Sequence, residues 1–408
     1  MANRLFVLCD YPFPEGMAPT TRILAYAKGL NSNNCKCEVL TFTPLPRVIK
    51  KSSLQGIIDG VIYYRSHAYN PNGNKLYRVF IDLKLFRIKA ISLLIKERRK
   101  EKIDVILISF DNPTHLIFFV PILIILGFKL AFISDEFPPE IRKLRTKISF
   151  FNKLFYILVH KAFLFRITMT KALKEYYNKE FGEKPTHILN TIVDIDRFTT
   201  NNIKTRNSKL NKTERIKLCY MGNMELEKDN IDNIIKAIDL LRWKFPNLLL
   251  HLYGTPNEKA RTIIENLIAN YELENHVQYK GRILFNEVPD VLKKYDVLVT
   301  SQPKTIRAIG GFPTKLGEYL MTGIPTIATK VGEINDHVKD GVHIYLVEPD
   351  DPVAYATRIE DILDNYNQAI EIAMTARDYV KCNFAANKVT KEMVSFIRQN
   401  VNRTNTHY

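Results

Sequence analysis

"GGFPTKLGEYLMTGIPTIAT" occupies Gly310 to Thr329. It reads as a glycine-bearing loop, a helix from about Thr314 to Met321, a Gly-x-Pro turn at Gly323 and a short apolar strand; "YDVLVTS" (Tyr295 to Ser301) just before it reads as another strand. Strand, loop, helix, strand is the unit from which parallel sheets are built. Where such a loop enters its helix, unpaired backbone N–H groups and the positive end of the helix dipole favour phosphate or carboxylate. Glu318 lies one turn inside, on the face of Thr314 and Lys315. Spacing alone leaves two roles open for it: an i to i+3 pair with Lys315 on a solvated face, or a carboxylate that faces a ligand.

The same alternation runs outward in both directions. "RLFVLCD", "CEVLTFT", "GVIYYRSH", "IDVILIS" and "FKLAFIS" form one set of strands, and "IKLCYMG", "LLLHLYG", "VQYKG", "DVLVTS", "PTIAT" and "IYLVE" a second, with helical patterns between them. Val193 to Arg215 is polar, without hydrophobic period. The expected organisation is α/β: a doubly wound, Rossmann-like domain over 1–198, a linker at 199–215 and a second such domain over 216–385. A helix near Asn387 to Ile397 within 386–408 is expected to return to the first domain, ahead of a polar tail. Two such domains would face each other across a cleft at the carboxyl ends of their strands, where open α/β sheets bind ligands.

At 408 residues, 46% hydrophobic and 25% charged, the chain can bury two cores. Cys9, Cys35, Cys37, Cys219 and Cys382 lack metal-site spacing and read as free thiols of a reducing compartment. The Leu5 to Cys9 run is too short for a signal peptide. Leu116 to Ser134 approaches the ~20 residues of a membrane span, but Pro121, Gly127 and Lys129 are expected to break it into an eleven-residue helix and a strand. Residues 1–200 hold 31 Lys and Arg against 17 Asp and Glu, so nearly all of the net +16 charge lies in the first half. That asymmetry calls for an anionic partner, nucleic acid or an anionic membrane.

"YMGNMELEKDNIDNIIKAI" places Gly222 at a strand end and Lys228 before a helix, suited to a phosphate, though Lys228 alone is equally a solvated loop residue. Taken in order, "HILNTIVDIDRF", that stretch, "LYGTPN", "VQYKGRI", "YDVLVTSQP", the Gly310 to Thr329 stretch and "VGEINDHVKDGVHIYLVEPDDP" closely resemble successive blocks of the retaining GT-B glycosyltransferases of family 4, the glycosyl transferases group 1. The N-terminal "YPFPEGMAPTTRILAYAKGL" is similar to that family's glycine loop and first helix. The resemblance implies sugar transfer from a nucleoside diphosphate sugar, UDP-linked first and GDP-linked second, held by the second domain, to an acceptor held by the first. It implies that Glu318 binds the ribose hydroxyls and Lys228 the diphosphate. Gly222, Asn223, Arg282, Ile283, Arg307, Gly310, Gly311, Phe312, Pro313, Thr314 and Lys315 are the further donor-side residues, and Gly16, Arg22, Asp111, Asp135 and Glu136 the acceptor-side ones.

Three positions depart from the family pattern. Gly310 stands where the first motif glutamate would be, Asn223 where many members have a second diphosphate-binding arginine, and Ser109 and Asp111 where an acceptor-side histidine is common. Arg282, Arg307 or Lys315 would then meet the remaining phosphate charge. No metal is expected: Asp194 and Asp196 have Asp-x-Asp spacing but lie in the polar stretch, and Asp350 and Asp351 read as a helix start. No other cofactor is implied.

Lys75 to Lys100 carries nine basic residues on a helical apolar stripe of Leu76, Val79, Phe80, Leu83, Phe86, Ile91, Leu94 and Ile95, and Arg142 to Arg166 carries seven with six aromatics and no acid. Such segments suit an anionic lipid interface, against the reading in which each stripe is ordinary core and the charge a solvated face. The expectation is a metal-independent, retaining hexosyl- or N-acetylhexosaminyltransferase, peripheral on the cytoplasmic membrane face, that adds a sugar to a lipid-linked or cell-envelope glycan in polysaccharide or glycoconjugate synthesis. The alternatives are a nucleotide-sugar epimerase or hydrolase on the same fold, a nucleic-acid-binding protein, which the absence of a binding module disfavours, and a non-catalytic partner subunit.

Overall fold

A computed structural model of the chain describes residues 3–16, 18–43, 53–67, 83–138, 141, 150–198 and 214–403. The chain divides into two units, Met1–Ile192 with Ala386–Tyr408, and Val193–Ala385.

The first unit is built on an eight-stranded sheet: β1 (Arg4–Cys9), β2 (Lys36–Thr41), β3 (Gln55–Ile58), β4 (Val61–Arg65), β5 (Val105–Ser109), β6 (Leu130–Ser134), β7 (Arg166–Thr168) and β8 (Thr186–Ile188). Their order is β3-β4-β2-β1-β5-β6-β7-β8. Every pair is parallel except β3 with β4, which run antiparallel at the edge. β1 is buried along its whole length, as expected for a central strand covered on both faces. The second unit holds β9 (Ile216–Met221), β10 (Leu248–Tyr253), β11 (Val277–Gly281), β12 (Val297–Val299), β13 (Thr326–Thr329) and β14 (Tyr345–Val347), all parallel, in the order β11-β10-β9-β12-β13-β14. Strand order reverses between β1 and β5 in one sheet and between β9 and β12 in the other. At such switch points the loops leaving neighbouring strands diverge and open a crevice for a ligand.

One expectation needs correction. The boundary set after Phe198 lies at Ile192, because Val193 bridges Ala385, its N–H bonds the Phe384 carbonyl at 2.8 Å, and Val193 and Phe198 are buried; Val193 to Phe198 therefore belongs to the second unit. The Leu116 to Ser134 run does divide into a helix, Pro113–Ile125, and strand β6, with Gly127 (φ +75°) between them and Pro121 inside the helix; Pro113 lies in its first turn and the Asn112 side chain accepts the Thr114 N–H. Pro121 sits on the exposed side, where the unbonded carbonyl one turn back can meet water. No helix among the described residues is long and apolar enough to cross a membrane.

The C-terminal helix, Ala386–Arg403, packs within the first unit. A side chain at Gly29 would strike the Ala386 carbonyl and Thr390, so glycine permits the close crossing. Asn33 Nδ2 donates to the Asn387 carbonyl at 2.8 Å, and Lys129 Nζ to the Val401 carbonyl at 3.0 Å.

Candidate active site

In the second unit, glycines form a low rim where β9, β10 and β11 end. The Gly222 N–H bonds the Tyr253 carbonyl and the Gly254 N–H bonds the Gly281 carbonyl, both at 2.9 Å. Gly254 has φ +144°, and a side chain there would collide with the Gly222 carbonyl. A side chain at Gly222 would strike the Tyr220 hydroxyl and Lys315 Nζ. Backbone can therefore approach a ligand closely at this switch point.

Directly against Gly222 stands a buried ion pair. Lys315, from the Thr314–Met321 helix, directs Nζ to Asp229 Oδ1 at 2.7 Å and donates to the Tyr220 hydroxyl at 2.8 Å. The i to i+3 pair of Lys315 with Glu318 is not formed. Burial alone would raise the Asp229 carboxyl, but the Lys315 ammonium outweighs it and holds Asp229 below the usual carboxylate range. Burial lowers Lys315 from the ordinary lysine value against the pull of Asp229. Lys228, partly buried on the short Leu226–Asp229 turn, is near enough to act electrostatically on both. Two ammonium groups thus lie close to one buried carboxylate beside the rim.

Glu318 lies one turn along from Lys315 and pairs with Arg197, a residue of the Ile195–Phe198 3-10 turn. The Arg197 guanidinium also stacks 3.6 Å from the centre of the Phe285 ring and donates to the Phe285 carbonyl at 2.7 Å. Phe285 follows Arg282 and Ile283 on the loop after β11, with Arg282 exposed and Ile283 partly buried. Arg307 pairs with Glu225 at 2.8 Å. Gly310 is buried at the end of the Ile306–Gly310 helix, and the Phe312 ring is buried against His337 and Phe384. Gly311 has no close neighbour nearer than the Arg307 carbonyl. Pro313 caps the Thr314–Met321 helix without a side-chain bond. From Gly310 to Thr314 the backbone, rather than the rings, is what can serve an anion.

In the first unit, Arg22 is buried and donates to Asp135 at 3.0 Å and to the Asn190 carbonyl at 3.0 Å. Burial pushes the Asp135 carboxyl up, opposed by Arg22. Asp111 accepts the Tyr156 hydroxyl on its backbone carbonyl at 3.1 Å, and the Glu136 carbonyl accepts from Ser134 at 2.9 Å. A side chain at Gly16 would strike Thr20 and the Pro12 carbonyl. The sequence reading passed over two pairs at the β1/β5 switch point. His115 Nδ1 lies 3.2 Å from Asp10 Oδ2, and the Tyr11 hydroxyl bonds Ser109. His115 lies four residues beyond Asp111, in the helix Pro113–Ile125, outside the strand end where a histidine was sought.

The family model described as Glycosyl transferases group 1 matches residues 201–379. Over that stretch, which lies in the second half of the chain, the sequence is similar to that family. An uncharacterized glycosyltransferase of Methanocaldococcus jannaschii, MJ1069, is 24% identical over 63% of this chain and 64% of its own length. Matches to the curated relatives span 41% to 64% of those proteins. Among solved structures, sucrose-phosphate synthase from Thermosynechococcus elongatus superposes with a TM-score of 0.73 at 15% identity, covering 97% of this chain and 98% of that one. Anabaena Alr3699/HepE in complex with UDP and glucose gives 0.68 at 15% identity over 97% and 99%. The fold is GT-B.

The two basic segments of the first half divide. Residues 75–82 and 142–149 lie outside the described residues. Of the expected surface groups, Arg166 is fully buried, donating to Asn178 and to the Gly182 carbonyl, and Tyr156, Phe163, Phe165, Phe86, Ile91 and Leu94 are core. Outward apolar residues remain on three helices: Leu85 and Ile88 of Leu83–Lys100, Ile117, Ile124 and Ile125 of Pro113–Ile125, and Phe151, Leu154 and Leu158 of Phe150–Lys161. Phe151 is 81% exposed and Ile125 84%, too much for satellite core residues.

Proposed function

We propose that the chain is a retaining glycosyltransferase that moves a hexosyl or N-acetylhexosaminyl group from a UDP-sugar, or second a GDP-sugar, to a lipid-linked or cell-envelope glycan acceptor. The observation that carries this is the placing of two ammonium groups, Lys228 and Lys315, about Asp229 at the glycine rim, with Glu318 on the same helix as Lys315. A diphosphate would meet Lys228 and the uncapped N–H groups of the Thr314–Met321 helix. A ribose diol offers two donors to an acceptor-only carboxylate, Glu318. That the related fold of Alr3699/HepE holds UDP supports the choice of base.

Charge stabilisation by lysines and helix N–H groups would let the diphosphate depart without a metal ion. Retention would follow front-face attack, with the departing diphosphate taking the acceptor proton. Such a reaction asks the protein for positioning and needs no nucleophile. The outward apolar residues of the three first-unit helices, set in the basic half of the chain, support a peripheral site on an anionic membrane, on its cytoplasmic face.

Gly310 favours a second reading, since a buried glycine cannot supply the carboxylate that the resemblance places against the donor sugar; a nucleotide-sugar epimerase or hydrolase would use the remaining groups. The deciding experiment incubates the protein with UDP- and GDP-sugars, with and without lipid-linked glycan, with and without chelator. Transfer to the acceptor with retained anomeric configuration, undiminished by chelator, supports the proposal. Epimer or free sugar formed at the same rate whether or not acceptor is present establishes the second reading.

A further inference from the structure

We infer that Arg197 is a positioning residue of the donor site: it ties Glu318 to the loop after β11, so that the ribose carboxylate is held in one place against that loop. The inference rests on the donor-site reading of Glu318 above and goes beyond it. Arg197 comes from neither wall. It reaches Glu318 on the Thr314–Met321 helix from the Ile195–Phe198 turn, while the same guanidinium donates to the Phe285 carbonyl and sits over the Phe285 ring. Its side chain is 9% exposed and that of Glu318 16%. A guanidinium presents five donors in a rigid plane, so one group can hold a carboxylate and a carbonyl while its face rests on an aromatic ring. Lysine has the charge but no plane.

The function follows from geometry. A carboxylate has about four lone-pair sites, and Arg197 occupies Oε1, so acceptor capacity remains for a diol. A glutamate side chain free to rotate would lose entropy when it bound that diol; one already pinned does not, and its hydrogen bonds count more fully toward affinity. Arg197, braced by Phe285, therefore acts through Glu318 on the ribose hydroxyls, touching neither the diphosphate nor the sugar. The turn that carries it begins where the chain enters the second unit, and Val193 fixes that entry by its bond to the Phe384 carbonyl.

The test measures the affinity of the full chain for UDP and 2′,3′-dideoxy-UDP by calorimetry, in the unaltered protein, Arg197→Ala, Arg197→Lys, Glu318→Ala, the Arg197→Ala/Glu318→Ala double variant and Phe285→Leu. Arg197→Ala is expected to weaken UDP about tenfold, the order of one charge-assisted hydrogen bond, and the dideoxy nucleotide less than twofold. Arg197→Lys should recover part of the loss, and Phe285→Leu, which keeps the ion pair but not the stack, should show a smaller loss of the same kind. Adding Arg197→Ala to Glu318→Ala should change nothing further. Equal weakening of both nucleotides, an unchanged UDP affinity or a tighter one in Arg197→Ala overturns the inference. If the unaltered protein binds ribo- and dideoxy-nucleotides equally, the donor reading of Glu318 fails first, and the inference falls with it.

Discussion

Replacing Lys315 by methionine keeps much of its length and removes its charge, which leaves Asp229 buried beside the Tyr220 hydroxyl with no cation in contact. Removing one partner of a buried pair costs about 3–5 kcal/mol when both are fully enclosed. The Asp229 side chain is 4% exposed and that of Lys315 20%, so water softens the loss and the lower end applies, about 2–3 kcal/mol. For a domain of this size that corresponds to a fall of roughly 4–12 °C in melting temperature. The pH dependence has a definite sign. In the parent the Asp229 carboxyl sits below its unfolded value, so its stabilisation is present above about pH 4 and disappears as pH falls through the folded value. In Lys315→Met burial, the largest influence, is opposed only by the Tyr220 hydroxyl and Lys228 and is expected to raise that carboxyl, so the variant loses stability as pH rises from about 4. The gap between the two proteins should widen from pH 5 to pH 7. Denaturant unfolding across that range measures it, with Asp229→Asn and the double variant closing the cycle. A gap independent of pH, or a double variant no more stable than Lys315→Met, would refute the reasoning, because the penalty would then not come from an orphaned carboxylate.

Other consequences can be checked at the site and on the surface. Glu318→Ala should weaken UDP and GDP by roughly ten- to a hundredfold with the fold intact, on the scale of ~1.5–3 kcal/mol for hydrogen bonds to a charged group; calorimetry with unchanged affinity for both would remove Glu318 from the site. Lys228→Ala should weaken the nucleoside diphosphate while hardly altering uridine or guanosine, since its charge is directed at phosphate, and equal losses would place it elsewhere. Sedimentation with vesicles should show preference for anionic lipid at low salt, weakening as the Debye length falls below ~10 Å. Phe151→Ser/Leu154→Ser/Leu158→Ser should remove the salt-resistant part of that binding, and its persistence would make this face merely solvated.

Much of the architecture was legible because the second unit's strands are continuous apolar runs separated by turn residues, and the helix at Thr314 begins and ends where its pattern says. What stayed hidden was short or distant. β7 and β8 have three residues each, too few for a period, and antiparallel β3 is an edge strand whose burial alternates only weakly. Glu318 could be singled out in the sequence, but its partner could not: Lys315 at i−3 looked sufficient, while the actual cation, Arg197, lies in a polar stretch without hydrophobic period. Lys315 in turn serves Asp229, because the helix face that carries it packs toward β9. Asp10 and His115 meet only because β1 and β5 are neighbours, a fact that belongs to the sheet order and not to either segment.

The first unit closes with its own last helix, Ala386–Arg403, seated on Gly29 and Asn33. On the ribosome, that piece emerges only after all of Val193–Ala385 has been made, roughly 10 to 40 s later at ~5–20 residues per second. During that interval the Ala18–Ser32 helix exposes the groove in which Ala386 and Thr390 will lie. The nascent first unit must wait with an uncovered seam while the second folds, so a premature stop anywhere beyond Ile192 and before Ala386 harms the unit already synthesised.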